Sequence, residues 1–333
     1  MLLDSNAPSK IKIKDRLFAH LETWRLYTVI WSGLVSLTGA CIAYQDLPPT
    51  NIALLALFIP MMGWTAALYL SDYLDGKLDA IEKPHRPIPS GRIKPLEALV
   101  IGAIFAIAGL GLSFLLSIYN IILVFVVALL VFGYAKFFKS HGIFGNINRG
   151  LPTVAAYLFG VFSINPSIES LPNYIWLISL VFLFHDTNSN LVGAIRDMEG
   201  DKKGGYRTVP VKYGLKTSII VSFILTVMWL SLTLYLAYYY DFLKTEFYMM
   251  MILDIIILIT LYVYLIRSIK AYSREKALRF HEIFVIERVT LASAIIIGVI
   301  DNRLAITIYV TALIITVLSQ IILRKRYEFE MEK

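Results

Sequence analysis

Charged residues make up only 17% of this 333-residue chain, too few to clothe a soluble protein of that size in polar surface. Cysteine is scarcer still. The single Cys41 excludes any intramolecular disulfide, and with it a disulfide-stapled secreted fold, so it reads as a packing residue. Coiled-coil heptads and low-complexity tracts are missing as well, and so is any polar insertion longer than about 20 residues. A fused soluble domain is therefore not expected, and residues 1–333 read as a single membrane-embedded domain. Nor is a cleavable leader expected, because the stretch from Asp4 to Arg16 is polar and basic ahead of the first apolar run.

Apolar sequence is what the chain has in quantity: 58% of its residues are hydrophobic. A run of roughly 20 such residues spans the hydrocarbon core of a bilayer as a helix. Runs of that kind recur near 27–44, 51–70, 96–119, 121–138, 150–166, 173–195, 216–240, 246–267, 283–300 and 304–323. The expected fold is all-α, a polytopic transmembrane bundle of nine or ten helices. The ninth run is the least regular, because Glu287 and Arg288 interrupt it.

Charge placement predicts an orientation. With ten crossings and a cytoplasmic N-terminus, only Lys244 and Arg303 of the 31 Lys and Arg fall outside. Residues 1–24 and 324–333 then form a cytoplasmic N-terminal segment and a cytoplasmic tail, and both termini share one side. The net charge of +7 becomes a basic collar facing anionic headgroups, which removes the reason to expect a nucleic-acid partner.

Two polar loops, 71–95 and 196–216, lie on that basic side. The first opens Ser71-Asp72-Tyr73-Leu74-Asp75-Gly76-Lys77-Leu78-Asp79. At about 100° per residue, offsets of three and seven put Asp72, Asp75 and Asp79 on one helix face. Three carboxylates in a stripe repel one another unless a cation neutralises them. Their oxygens suit Mg²⁺, which is held by a few carboxylates together with substrate phosphates. The bland alternative is a solvated helix end at the headgroups.

The second loop follows His185-Asp186-Thr187-Asn188-Ser189-Asn190 and contains Arg196-Asp197-Met198-Glu199-Gly200-Asp201. Asp186, Asn190, Asp197 and Asp201 are spaced four, seven and four, again one face. Asp186 and Asn190 sit inside an apolar run, where a polar group is costly and points to function or to a contact with a neighbouring helix. Cations accompany both stripes: Lys83, His85, Arg86 and Arg92 after the first, Lys202, Lys203 and Arg207 after the second. Together with Lys139 at the end of the fourth run, they could pair with phosphate oxygens that a metal leaves free. Charge on the cytoplasmic side alone would also account for many of them.

With these motifs the chain resembles the UbiA-type intramembrane prenyltransferases over roughly residues 20 to 300. Ser71 followed by Asp72, Asp75 and Asp79, then Lys83-Pro84-His85-Arg86-Pro87-Ile88-Pro89-Ser90-Gly91-Arg92, is similar to the family's first motif and its continuation. Arg196-Asp197-Met198-Glu199-Gly200-Asp201-Lys202, with Thr208-Val209-Pro210 and Tyr213-Gly214, resembles the second motif of members acting on polyol phosphates and chlorophyll precursors. Three departures stand out. Ser71 replaces a usual Asn, Asn190 and Gly193 stand where many members have acids, and ten runs are counted where nine are usual.

The resemblance implies Mg²⁺-dependent (or Mn²⁺-dependent) transfer of an isoprenoid from an allylic prenyl diphosphate to a lipophilic or aromatic acceptor, with release of pyrophosphate. Asp72, Asp75, Asp79, Asp197 and Asp201 would hold the metal. Arg25, Lys83, Arg86, Arg92, Lys139, Asp186, Asn190, Lys202 and Arg207 would line the substrates, with Arg25 at a position linked to the acceptor. Metal stabilisation of the leaving group would be the main catalytic effect. A membrane terpene cyclase on the same scaffold and an ion-coupled transporter remain as alternatives. Clustering of the acids at one membrane side weighs against transport, whose sites lie more often at the midplane.

Overall fold

The computed structural model describes residues 12–241 and 243–328, and every regular element among them is helical. A short helix, α1 (Ile13–Trp24), precedes the first long one, α2 (Leu26–Tyr44). Next come α3 (Thr50–Leu74), its continuation α4 (Gly76–Glu82), α5 (Pro95–Ser113) and α6 (Ile118–Lys136). The second half holds α7 (Ile143–Ile164), α8 (Asn173–Arg196), its continuation α9 (Met198–Lys203) and α10 (Val209–Tyr240). The chain then runs through α11 (Thr245–Ser268), α12 (Arg274–Val299), α13 (Asn302–Ser319) and a last turn, α14 (Lys325–Glu328).

Among the described residues, each of the ten expected apolar runs has its helix, and six of these are long and apolar enough to cross a membrane. Ile104, Ile107, Leu129, Ile256 and Ile259 are each more than half exposed, a surface that suits acyl chains and not water. Boundaries moved where polar residues extend a helix beyond its apolar run. α7 begins at Ile143 because Gly145, Asn146 and Asn148 are buried against neighbours, and α12 begins at Arg274, where the Ser273 hydroxyl caps the Lys276 amide. The third run divides earlier than hydropathy suggests, because Ser117 and Asn120 form a reciprocal capping box that starts α6.

Glu287 and Arg288 do not break the ninth run. Both are buried inside α12, where Glu287 accepts His185 at 3.0 Å and Arg288 donates to the Tyr27 carbonyl at 3.0 Å. A buried charge survives in such a place only with partners of this kind. α2 is the central helix, with most of its residues buried, and it packs closely against α7. A side chain on Gly160 would collide with the Ser36 carbonyl, and one on Gly39 with the Tyr157 carbonyl. Without a strong hydrophobic drive between helices in lipid, close backbone approach of this kind supplies the packing.

The bundle has two unlike ends. α12 starts at Arg274 and finishes beside Lys244, whose Nζ donates to the Ile300 carbonyl at 2.8 Å. At the Arg274 end lie α1, α4, α9 and α14, short helices rich in charged side chains. The segment expected as a plain tail from residue 324 instead folds inward through residue 328, and residues 1–24 hold a helix from Ile13. Residues 1–11 and 329–333 of those two expected segments lie outside the described residues.

Candidate active site

Both aspartate stripes open onto one cavity of about 490 Å³ at the polar end of the bundle. The first stripe straddles the junction of α3 and α4. Asp75 sits between the two helices, yet its amide bonds to the Ser71 carbonyl and the Asp79 amide to the Asp75 carbonyl, both at 2.9 Å, so the helical register carries through. Asp72, Asp75 and Asp79 all line the cavity as their spacing predicts, and so do Asp186, Asn190, Asp197 and Asp201. The second stripe also crosses a junction, with Asp197 between α8 and α9.

Each acid of the first stripe is held by a cation from elsewhere in the fold. Arg25 donates to Asp72, Lys139 Nζ reaches Asp75 Oδ1 at 2.8 Å, and Arg86 Nη1 meets Asp79 at 2.8 and 2.9 Å. Arg25 is the hinge between α1 and α2 and has φ of 46°, a left-handed conformation uncommon outside glycine. That break turns the chain and leaves the guanidinium beside Asp72. Lys139 also lies over the Tyr206 ring at 4.2 Å. Burial would lower its pKa, but Asp75 outweighs it and holds the ammonium charged.

On the second stripe, Asp197 takes Arg196 at 2.5 and 3.1 Å and has Lys83 at 3.6 Å. Against burial, Arg196 and Lys83 keep its pKa well below the usual carboxylate range. Asp201 is the opposite case: burial first, then the charge of Asp197, push it up to about 6. Deeper in, Asp186 accepts the Trp31 indole N–H at 3.1 Å, and Asn190 pairs with Asn146 through their side-chain amides at 2.9 Å. Trp64, Leu68 and Tyr134 form an apolar part of the wall, next to Arg149, which lies 5.1 Å from the Tyr134 ring centre.

Of the cations expected at the site, Arg25, Lys83, Arg86 and Lys139 line the cavity, whereas Arg92, Lys202 and Arg207 do not. Arg92 turns the other way, to Glu22 at 2.7 Å and to the His85 carbonyl at 2.7 Å. Several lining residues carried no motif: Arg149, Arg274, His281, Arg288, Tyr327 and Glu328. A cation inside an apolar run was the available signal for Arg288. Nothing local marked Tyr327 and Glu328, which read as part of the cytoplasmic tail. Tyr327 donates to Asp72 Oδ1 at 2.8 Å, and its ring lies between the Arg25 and Arg86 guanidiniums, each 4.2 Å from its centre.

An all-helical bundle with exposed apolar flanks and a cavity at one end lined by paired aspartates and cations defines an integral membrane protein with a charged cavity. The UbiA prenyltransferase family profile matches residues 31–285, and the chain belongs to that family and is a prenyltransferase. It is 32% identical over 219 residues, 66% of this chain and 76% of the relative, to the digeranylgeranylglyceryl phosphate synthase of Korarchaeum cryptofilum (strain OPF8). A solved structure from work on digeranylgeranylglyceryl phosphate synthase in membranes is 27% identical, with a TM-score of 0.63, covering 85% of this chain and 98% of that one. The fold is also that of a UbiA homolog from Archaeoglobus fulgidus bound to DMAPP and Mg²⁺, at 17% identity and a TM-score of 0.55, covering 91% and 99%.

Proposed function

We propose that this prenyltransferase moves a geranylgeranyl-type group from its allylic diphosphate to the hydroxyl of a glyceryl phosphate that already carries one such chain. The observation that carries the reading is the convergence of Asp72, Asp75 and Asp79 with Asp197 and Asp201 on a single cavity that also holds Lys83, Arg86 and Lys139. The synthases of relatives such as that of Korarchaeum cryptofilum support the acceptor class.

The donor chemistry suits Mg²⁺, with Mn²⁺ as a chemical equivalent: all five acids offer hard oxygen ligands, and Asp72 Oδ2 is buried without a hydrogen-bond partner. Among the described residues no three of them yet stand close enough together to enclose an ion, each being drawn to a cation or its neighbour. Asp72, Asp75, Asp79, Asp197 and Asp201 would hold it. When bound, Mg²⁺ supplies the positive charge that stabilises a departing diphosphate. Lys139, Arg86 and Lys83, which now neutralise carboxylates, turn to the phosphate oxygens in charge-assisted hydrogen bonds. Trp64, Leu68 and Tyr134 receive the first isoprene unit and keep water from the allylic carbon as its bond to oxygen breaks. Capture by the acceptor hydroxyl forms the new C–O bond and releases diphosphate and a proton. Arg25, Asp186 and Asn190 position substrate from the deeper and α1-side walls.

The same reading makes the chain one membrane-embedded domain, with the cavity end cytoplasmic because the Lys and Arg collect there. Purified protein incubated with labelled geranylgeranyl diphosphate and Mg²⁺ tests it against three conditions: glyceryl phosphate acceptors, aromatic acid acceptors, and none. Label in a glyceryl phosphate product is the expected result. Transfer to aromatic acids alone overturns the acceptor class, and a cyclised hydrocarbon without acceptor identifies a terpene cyclase.

A further inference from the structure

The last described turn, α14, reaches the cavity and lines it with Tyr327 and Glu328. After α13, a π-helical turn over Gln320–Arg324 redirects the backbone, with buried Arg324 donating to Gln320 Oε1 at 2.7 Å and paired with His281 Nδ1 at 2.8 Å. Single π-turns of this sort are found mostly where function needs a bend. Arg326 then binds Glu22 at 2.8 Å, and α14 enters the site. Its carboxylate, Glu328, is only 3% exposed and meets three cations: Arg274 at 3.0 Å, Arg196 at 3.6 Å and Lys83 at 3.9 Å.

Glu328 and Asp197 together leave one positive charge of that cluster unbalanced. Three cations from three separate segments (after α4, the end of α8 and the start of α12) converge on Glu328, and Lys83 and Arg196 also pair with Asp197, so that three cations share two carboxylates. Bringing like charges together is unfavourable, and the arrangement is better satisfied by a dianion with three terminal oxygens than by a carboxylate with two. Asp197 shares Lys83 and Arg196 but lies on the metal-ligand side. Arg274, at the start of α12, pairs with Glu328 at 3.0 Å.

We propose that Lys83, Arg196 and Arg274 form a phosphate-binding position beside Asp197, which Glu328 fills in the ligand-free chain and vacates to a phosphate-bearing ligand. The inference rests on the glyceryl phosphate reading for the name of that ligand, but the chemistry recognised is the phosphate itself. Two sources could provide it, the acceptor's phosphomonoester or the outer phosphate of the donor. A tethered carboxylate competes at a high effective concentration, so it screens out weak anions and yields to a membrane-borne phosphate concentrated at the same surface. Its departure has a second effect. Tyr327 precedes it and covers Asp72, so the same movement uncovers the first aspartate of the metal set.

The test uses the full chain in detergent micelles without Mg²⁺, titrated with inorganic phosphate and with glycerol phosphate. Glu328→Gln removes the competing charge and is expected to tighten both probes by at least ~5-fold, whereas Arg274→Gln weakens both by at least ~5-fold. Opposite signs from two variants of one ion pair exclude a general loss of folding. Steady-state kinetics of Glu328→Gln then assign the source: a fall in the acceptor KM places the acceptor phosphate there, and a fall in the donor KM places the diphosphate there. Unchanged phosphate affinity in either variant, or weaker binding in Glu328→Gln, overturns the proposal. Failure of the glyceryl phosphate reading would appear separately, as absence of transfer to such acceptors with the inorganic phosphate result intact.

Discussion

Arg92 reaches the fully buried carboxylate of Glu22 through both terminal nitrogens, at 2.7 and 2.9 Å, and so ties the loop after α4 to α1. That contact anchors the proline-rich loop in the ligand-free chain and directs Arg92 away from the cavity. Arg92→Ala strips one of two cations from Glu22, the other being Arg326, and should cost on the order of 1–3 kcal/mol. Thermal unfolding in detergent would detect it as a lowered midpoint, with donor KM within about 2-fold of wild type. A large rise in donor KM at unchanged stability would instead put Arg92 on the substrate.

Lys139 is the counter-case, because it lines the cavity and holds Asp75 at 2.8 Å. Replacing it with Gln deletes a charge-assisted bond to diphosphate worth about 1.5–3 kcal/mol, or roughly 10- to 100-fold in donor KM. Initial rates against donor concentration measure this directly. A variant with the donor KM of wild type would show that Lys139 serves only Asp75.

Metal dependence follows from the oxygen-only character of both stripes. Turnover should vanish in excess chelator and return with Mg²⁺ or Mn²⁺. Asp75→Ala and Asp197→Ala should each lower the rate by at least ~100-fold while the protein still purifies as a folded species. Full activity in chelator would defeat the assignment of all five acids.

Sidedness can be read with one engineered thiol at a time in a Cys41→Ser background. Lys244→Cys at the far end and Lys203→Cys at the cavity mouth should react from opposite faces of sealed vesicles with a membrane-impermeant maleimide. Labelling of both from the same face would mean that the two ends of α12 do not lie on opposite sides.

What the sequence determined by itself is local. Among the described residues each apolar run lies in a helix, because length and hydropathy are properties of adjacent residues. Asp72, Asp75 and Asp79 share a face because the α-helical repeat places offsets of three and seven together, and it does so even across the junction at Asp75. The second stripe was legible for the same reason. Partnership was not, because it is a matter of distance along the chain. Tyr327 and Asp72 are 255 positions apart, and Arg326 and Glu22 are 304, so no spacing rule connects them. The tertiary structure also sorted cations that look alike in sequence. Arg86 and Arg92 lie six residues apart in one loop, and a turn through Gly91 (φ 74°) sends the first to Asp79 and the second to Glu22. Which charges meet a ligand and which hold the scaffold depends on where the loop reverses and what buried carboxylate waits there, and only the folded chain brings those groups within reach.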